Sequence, residues 1–387
     1  MDRIDRHASI KTGSKNTQDK REGGKYPFFV RSQEVERINT YSYNGEAVLT
    51  AGDGVGTGKV FHYIHGRFDV HQRVYRISNF SDRLDGRYFF FQFSERFRHR
   101  IMSMTAKSSV DSVRMETIAG MRIPLPPRRE QRAIAAALSD SNELIRSLEA
   151  LIAKKQATKQ ATMQQLLTGR TRLPGFGGEW AGRRLGELGA FRKGKGIRRT
   201  ELRETGARCV RYGELYTRYQ NYVVNPVSRI PKDVAATALR IEKGELLFAG
   251  SGETAEEIGI CVAYIGEEPA YAGGDIIVLR APGQDPVYLA HLLNAPVAAR
   301  QKARMAQGDA VVHIRADHLA EIELPLPPVR EQRAIAAVLS DMDAEIEALE
   351  RRLDKARALK QGMMQQLLTG SIRLPIPEAV PEDDPGG

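Results

Sequence analysis

Hydrophobic positions along the chain fall into two regimes. After Pro127 there is neither glycine nor proline up to Thr168, and Ile134, Leu138, Ile145, Leu148 and Ile152 recur on one heptad stripe; Ile335, Leu339, Met342, Ile346, Leu349 and Leu353 repeat it later. The spacing predicts two long helices, each with a single apolar face. Pro126 and Pro127 open the first, because proline suits a first helical turn and forbids helix before it, and Pro327 and Pro328 open the second. Gly169 and Gly370 stand where a left-handed cap ends each helix. Residues 127–168, at 1.5 Å each, give about 63 Å of helix. An apolar stripe of that length is not left in water, so the two helices are expected to pair as a coiled coil. Both attach to the segment between them, which makes the pair antiparallel, gives the chain an approximate two-fold axis, and sets a globular head at each end.

The rest of the chain alternates short apolar runs with turn residues: 26–30, 46–51 and 73–77 in one part, then 209–212, 245–249, 258–265 and 275–280 in another. These read as strands. Helices are expected over 89–104 and 286–303. The fold class is therefore α+β: two globular heads at 1–122 and 175–323, separated by long helices at 123–174 and 324–375, with a flexible tail at 376–387.

The helical segments are copies of each other. IPLPPRREQRAIAAALSD at 123–140 returns as LPLPPVREQRAIAAVLSD at 324–341, and MQQLLTG and RLP recur at the same offset of 201, so that 32 of the 52 residues from Ile123 to Pro174 are repeated without a gap. The chain is an internal duplication whose heads have diverged.

Composition narrows the classes of function. With 41% hydrophobic and 27% charged residues the chain folds, and no apolar run reaches the roughly 20 residues of a membrane helix, so it is expected to be cytoplasmic. Two cysteines, Cys209 and Cys261, are too few for a disulfide framework or a zinc site. The net charge of +10 favours a polyanion, nucleic acid before membrane, and the excess is concentrated in the first head, +7 over 1–122 against +1 over 175–323. GDGVGTGK at 52–59 fails the phosphate-loop pattern twice, at Asp53 and Val60, and reads as a glycine-rich turn between strands that could lie on DNA. His62, His65 and His71 lack a completing ligand, so no metal is expected, and surface or groove-facing positions are. No lysine has an acid two positions before it, and no Asn-Pro-Pro-aromatic or Asp-Pro-Pro-aromatic run occurs, which argues against a nuclease and an amino-methyltransferase.

Two copies of P-L-P-P-x-x-E-Q-x-x-I, each followed by a long helix ending Q-L-L-T-G-x-x-R-L-P, resemble the repeated regions of the specificity subunit of type I restriction-modification systems; GEAVLTAGDGVGTGKV at 45–60 and KGELLFAGSGE at 243–253 resemble its target-recognition domains. The resemblance implies that each head reads half of an interrupted, asymmetric DNA target, that the helices act as a spacer and bind two modification subunits, and that restriction subunits complete the complex. It implies no catalysis by this chain, with S-adenosylmethionine, ATP and Mg held by the partners. Trp180 and LGEL at 185–188 open the second head in the family's manner, whereas the first begins abruptly, so its first strand is expected to be incomplete, with either a start that lies late or the C-terminal segment covering the gap.

DNA contacts are expected from loop residues: Lys11, Arg31, Lys59, His71, Gln72, Arg73, Lys107, Ser108, Ser109 and Arg114 in the first head, and Arg192, Lys193, Lys195, Arg198, Arg199, Arg211, Tyr212, Arg218, Arg304, His313 and Arg315 in the second. Glu130, Gln131 and Arg132 recur as Glu331, Gln332 and Arg333. They serve either helix-start chemistry, acids favouring the positive end of a helix, or docking of the modification subunit, in which case charge reversal leaves the fold intact. A coiled-coil DNA-binding regulator acting alone stays open as an alternative.

Overall fold

The computed structural model describes residues 1–103, 112–308 and 311–375. It divides into two compact units, Met1–Ala150 with Glu350–Gly387, and Leu151–Leu349. Each unit holds one head, the start of one long helix and the end of the other.

In the first unit, six strands form one sheet in the order Ser9–Thr12, Val74–Ser78, Tyr43–Ala51, Phe61–Val70, Tyr26–Phe29, Glu36–Ile38. All neighbours are antiparallel except Tyr26–Phe29 beside Phe61–Val70. A helix, Gly86–Ser103, starts three residues before the expected position because the Asp85 carboxylate accepts the Tyr88 N–H and caps it. Its Phe89, Phe93 and Phe97 stack in series, with Phe61 of the sheet edge-on to the last two. The opening strand, Asp2–Arg3, pairs with Arg122–Ile123 and is half the length of its counterpart in the other head; Leu374 packs against the same core.

The second head carries a five-stranded sheet, Ala190–Lys193, Ile276–Arg280, Glu245–Ala249, Cys261–Tyr264, Tyr222–Val223, and a four-stranded one, Ser228–Ile230, Ala207–Val210, Ala270–Ala272, Leu239–Ile241. Ala181–Arg184 pairs with Glu323–Leu326. Two expectations are corrected here. The strand predicted over 209–212 stops at Val210, because the Glu214 carboxylate takes the Arg211 N–H and starts a helix at Tyr212–Thr217. The helix predicted over 286–303 is two, Pro286–Asn294 and Pro296–Met305, broken where Ala295 is extended before a proline. Cys209 and Cys261 are both buried, and burial pushes their thiols up to about 12, so they remain protonated packing groups.

The long helices run Arg128–Leu166 and Val329–Leu367, each with its predicted glycine just beyond: Gly169 at φ +70° and Gly370 at φ +75°. Their pairing is antiparallel in each unit. In the first, Ser141 Oγ meets Met363 Sδ at 3.7 Å and Arg357 pairs with Glu149 at 2.7 Å; in the second, Lys155 pairs with Glu345 at 2.7 Å and Lys159 with Asp343. The predicted stripe is buried at Ile134, Leu138, Leu148, Ile152, Ile335, Leu339, Ile346 and Leu353, and half-buried at Ile145, Met342 and Leu349. Its ends do more than zip helix to helix. Ile134 and Leu138, with Met364, Leu367 and Leu368, belong to the first head's core, and Ile335 and Leu339, with Leu166 and Leu167, to the second's. Among the described residues no helix is long and apolar enough to cross a membrane.

Candidate nucleic-acid interface

In the first head the strands Tyr43–Ala51 and Phe61–Val70 are joined by the glycine-rich turn read from the sequence. Gly54 and Gly58 take φ of +74° and +68°, and a Cβ on Gly56 would lie 2.3 Å from the Arg31 carbonyl, so the turn needs glycine to approach the neighbouring backbone. The Gly52 N–H donates to the Arg73 carbonyl, and the Gly52 carbonyl accepts the Val113 N–H. Arg31, Asp53 and Arg73 thereby converge: Asp53 Oδ1 accepts from Arg31 Nη1 and Oδ2 from Arg73 Nη1, both at 3.0 Å. Lys59 stands exposed on the turn, and the Gln72 amide donates to Asn16. Lys11 lies exposed on the strand beside Arg76, and Arg114 precedes a short helix, Met115–Ala119. Lys107, Ser108 and Ser109 lie outside the described residues.

His71 departs from the surface position expected of it. It is 5% exposed, its Nδ1 accepts the Arg73 N–H at 3.0 Å, and burial and the Arg31 charge depress its pKa, so it props the Arg73 backbone from beneath the surface. His62 is half-buried against the Ser32 carbonyl and is shifted the same way by burial. Among the described residues no cluster of three or more His, Cys, Asp or Glu side chains could hold a metal ion.

The second head repeats the backbone and changes the chemistry. The Gly250 N–H donates to the Asp275 carbonyl and its own carbonyl accepts the Ile314 N–H, as at Gly52. Where the first head has Asp53 bridged to Ser112, this one has Ser251 bridged to His313, with Ser251 Oγ and His313 Nδ1 3.0 Å apart. A pocket of about 500 Å³ gathers Lys193, Ser251, Asp275, His313, Arg315 and Asp317. A second of about 540 Å³ shares Asp275 and gathers Arg198, Arg199, Arg211 and Tyr212. Seven of the residues picked from sequence therefore line two adjoining pockets. Arg192 turns instead to the buried Glu245 carboxylate, while Arg211 lines the second pocket and pairs with Glu214 as well. Arg315 pairs with Asp317, while Lys195, Arg218 and Arg304 are exposed.

At the helix starts Glu130 and Glu331 stand in the first turn, as expected of acids there, and four of the six residues have a further role that was not expected. Glu130 and Glu331 are buried, and each takes a two-pronged guanidinium from the other repeat: Arg373 on Glu130 at 3.1 and 2.8 Å, Arg172 on Glu331 at 2.5 and 2.6 Å. Gln131 and Gln332 are also buried. Their side-chain carbonyls accept the N–H of Asp85 and Asp285, the residues that cap each head's helix, and their amides donate to the Pro126 and Pro327 carbonyls. Charge reversal at these glutamates is expected to destabilise the fold, because it would place a cation in a buried site facing an arginine. Arg132 and Arg333 are exposed. The sequence reading missed Arg172 and Arg373; the signal was present, since both lie in the repeated R-L-P.

Comparison with known proteins gives a consistent set of likenesses. Residues 8–155 and 177–357 match the family described as the type I restriction modification DNA specificity domain. The chain is 24% identical over 352 residues to the type I restriction enzyme MjaVIII specificity subunit of Methanocaldococcus jannaschii, covering 86% of this chain and 80% of that one. It is 27% identical over 160 residues to the type I restriction enzyme EcoDI specificity subunit of Escherichia coli, covering 41% and 32%. The fold is similar to that of the type I restriction-modification S subunit from M. genitalium, with a TM-score of 0.67, 17% identity and 95% of both chains covered.

Proposed function

The chain belongs to the type I restriction-modification DNA specificity family, and from that premise we propose that it is the recognition subunit of such a complex, each head reading one half of an interrupted, asymmetric DNA target. The observation that carries this is that the family matches the chain twice, once over each head, and that both heads gather cationic and polar side chains around the same strand-to-strand turn. Phosphate contacts from the exposed lysines and arginines position the protein, and contacts to base edges specify the sequence. The chain contributes recognition and no catalytic group. Two modification subunits supply S-adenosylmethionine-dependent methylation, and restriction subunits supply the ATP- and Mg-dependent steps.

With Glu130 and Glu331 committed to the fold, the exposed Arg132 and Arg333 take over the docking role. Arg132→Glu with Arg333→Glu is expected to keep the thermal transition of the chain and to abolish its co-purification with a modification subunit.

The primary test is co-expression with a type I modification subunit followed by methylome sequencing of the host. Adenine methylation at one new bipartite motif is the expected result. A stable chain that binds DNA sequence-specifically, with no complex and no new motif, would instead support a regulator acting alone.

A further inference from the structure

Three charged side chains meet at one exposed place on the first head, and stability does not explain them. Arg31 and Arg73 are 47% and 61% exposed, and ion pairs of that exposure contribute little to folding. Their geometry is nonetheless fixed. Asp53 divides its two oxygens between them, so each guanidinium spends a single nitrogen, Nη1, on the carboxylate. Among the described residues neither guanidinium makes another hydrogen bond, which leaves an edge of each fork with free donors. The backbone beneath is locked as well. Arg73 is held through its N–H by His71 and through its carbonyl by Gly52, and the Arg31 carbonyl lies against Gly56.

A phosphate contact needs a cation within reach and little more. An oriented planar fork, braced by a carboxylate on one side and free on the other, fits an acceptor pair of fixed spacing, and the O6 and N7 edge of guanine in the major groove is such a pair. We infer that Arg31 and Arg73 read guanines in the half-site of the first head, with Asp53 as the positioning residue that aims both. The inference rests on the reading that this head binds DNA. The second head places Ser251 and His313 at the corresponding bridge, so its half-site is read by other chemistry and is insensitive to these residues.

The test uses the full chain co-purified with a modification subunit and a library of randomised DNA duplexes, comparing wild type with Arg31→Ala, Arg73→Ala and Asp53→Asn. Wild type is expected to enrich a bipartite motif with guanines in one half. Each arginine variant lowers the preference for one guanine by roughly 10- to 100-fold and leaves the other half unchanged, and Asp53→Asn blunts both preferences. Weaker binding to every sequence with an unaltered motif and a salt-dependence slope reduced by about one would make the arginines phosphate contacts and overturn the inference. A lower Tm with an unaltered motif would make the cluster a staple of the turn and overturn it equally. If an alanine variant does not fold, Arg31→Lys and Arg73→Lys keep the pairing with Asp53 but lose the planar fork, and an unchanged guanine preference in them counts against the inference. A wild-type complex that enriches no bipartite motif refutes the recognition reading itself, a result distinct from a motif that the variants leave untouched.

Discussion

The two heads follow the same backbone path under the turn that carries their chemistry and fill it with opposite kinds of side chain. Gly58 in the first and Gly259 in the second both sit at φ +68° with a side chain pressed against them: a Cβ would lie 2.5 Å from Ile101 Cδ1 in one and 3.0 Å from Lys302 Cδ in the other. In the first head this layer is a ladder of phenylalanines; in the second it is aliphatic, Leu289, Leu292 and Leu293, with a buried amine donating to the Gly259 carbonyl at 2.6 Å. The clamp beneath, Glu to Arg and Gln to the cap of the head's helix, is the same in both. The duplication has therefore held the backbone and its fastening to the helices, and has let the filling and the exposed chemistry drift apart. A recognition protein needs that division, because new specificity is tolerable only on a support that does not move.

Breaking the shared clamp is the most damaging test of that view, and it should hurt the two units unequally. Glu331 is 1% exposed, and its partner Arg172 is held also by the Gly177 and Gly178 carbonyls and lies over the Trp180 ring; Arg373, the partner of Glu130, is 68% exposed. Glu331→Lys should cost about 3–5 kcal/mol, since it leaves a buried, uncompensated cation. Glu130→Lys should cost less, because Arg373 can swing into water. Thermal unfolding of the two variants reads the difference, and equal losses would mean that the clamps are equivalent after all.

The second test exchanges the fillings. Lys302 is 3% exposed, and burial pushes its pKa down from 10.5 to about 8. The folded state thus disfavours the ammonium. The cost is present in full below pH 8 and is relieved as the pH rises from 8 towards 10.5, where the unfolded chain also loses its proton. A depression of that size corresponds to about 3 kcal/mol, while Lys302→Ile leaves the Gly259 carbonyl without its donor, a loss of about 1–2 kcal/mol. At pH 7 the variant should be more stable by roughly 1 kcal/mol, and by pH 10 the order should reverse. Denaturation midpoints measured at both values check the sign, and a pH-independent difference would show that the amine keeps its unfolded-state pKa and stays charged in the fold.

These contrasts mark where sequence stops being legible. The helices, their glycine caps and the antiparallel pairing could be read because they depend on local pattern and on connectivity, and the seven strands expected lie within a few residues of their observed bounds, whereas Ser9–Thr12, Phe61–Val70 and Ala190–Lys193, too polar to show an apolar run, went unread. The role of Glu130 and Glu331 could not, because the partner of each lies in the other repeat, 243 residues away for Glu130 and 159 for Glu331. Lys302 hid behind its residue type, since lysine is rarely buried, and Arg304 two positions on was chosen in its place. Asp53 was weighed only as a flaw in a phosphate loop. Its convergence with Arg31 and Arg73 depends on strand order, which no spacing in the sequence encodes.

The smallest effect expected lies in the helices, where the copies agree best. Ala161 of the first repeat is replaced by Gly362 in the second, inside the helix Val329–Leu367. A Cβ built on Gly362 meets nothing within 4 Å beyond the helix's own backbone, so no close approach requires glycine there. Glycine inside a helix costs about 0.5–1 kcal/mol relative to alanine, through the freedom it retains when unfolded. Gly362→Ala should therefore raise the stability of the first unit by that amount, and by circular dichroism should shift Tm upward by a few degrees without touching either head. If Tm falls instead, the helix needs glycine's backbone freedom at this position, and the second helix differs from the first in backbone as well as in sequence.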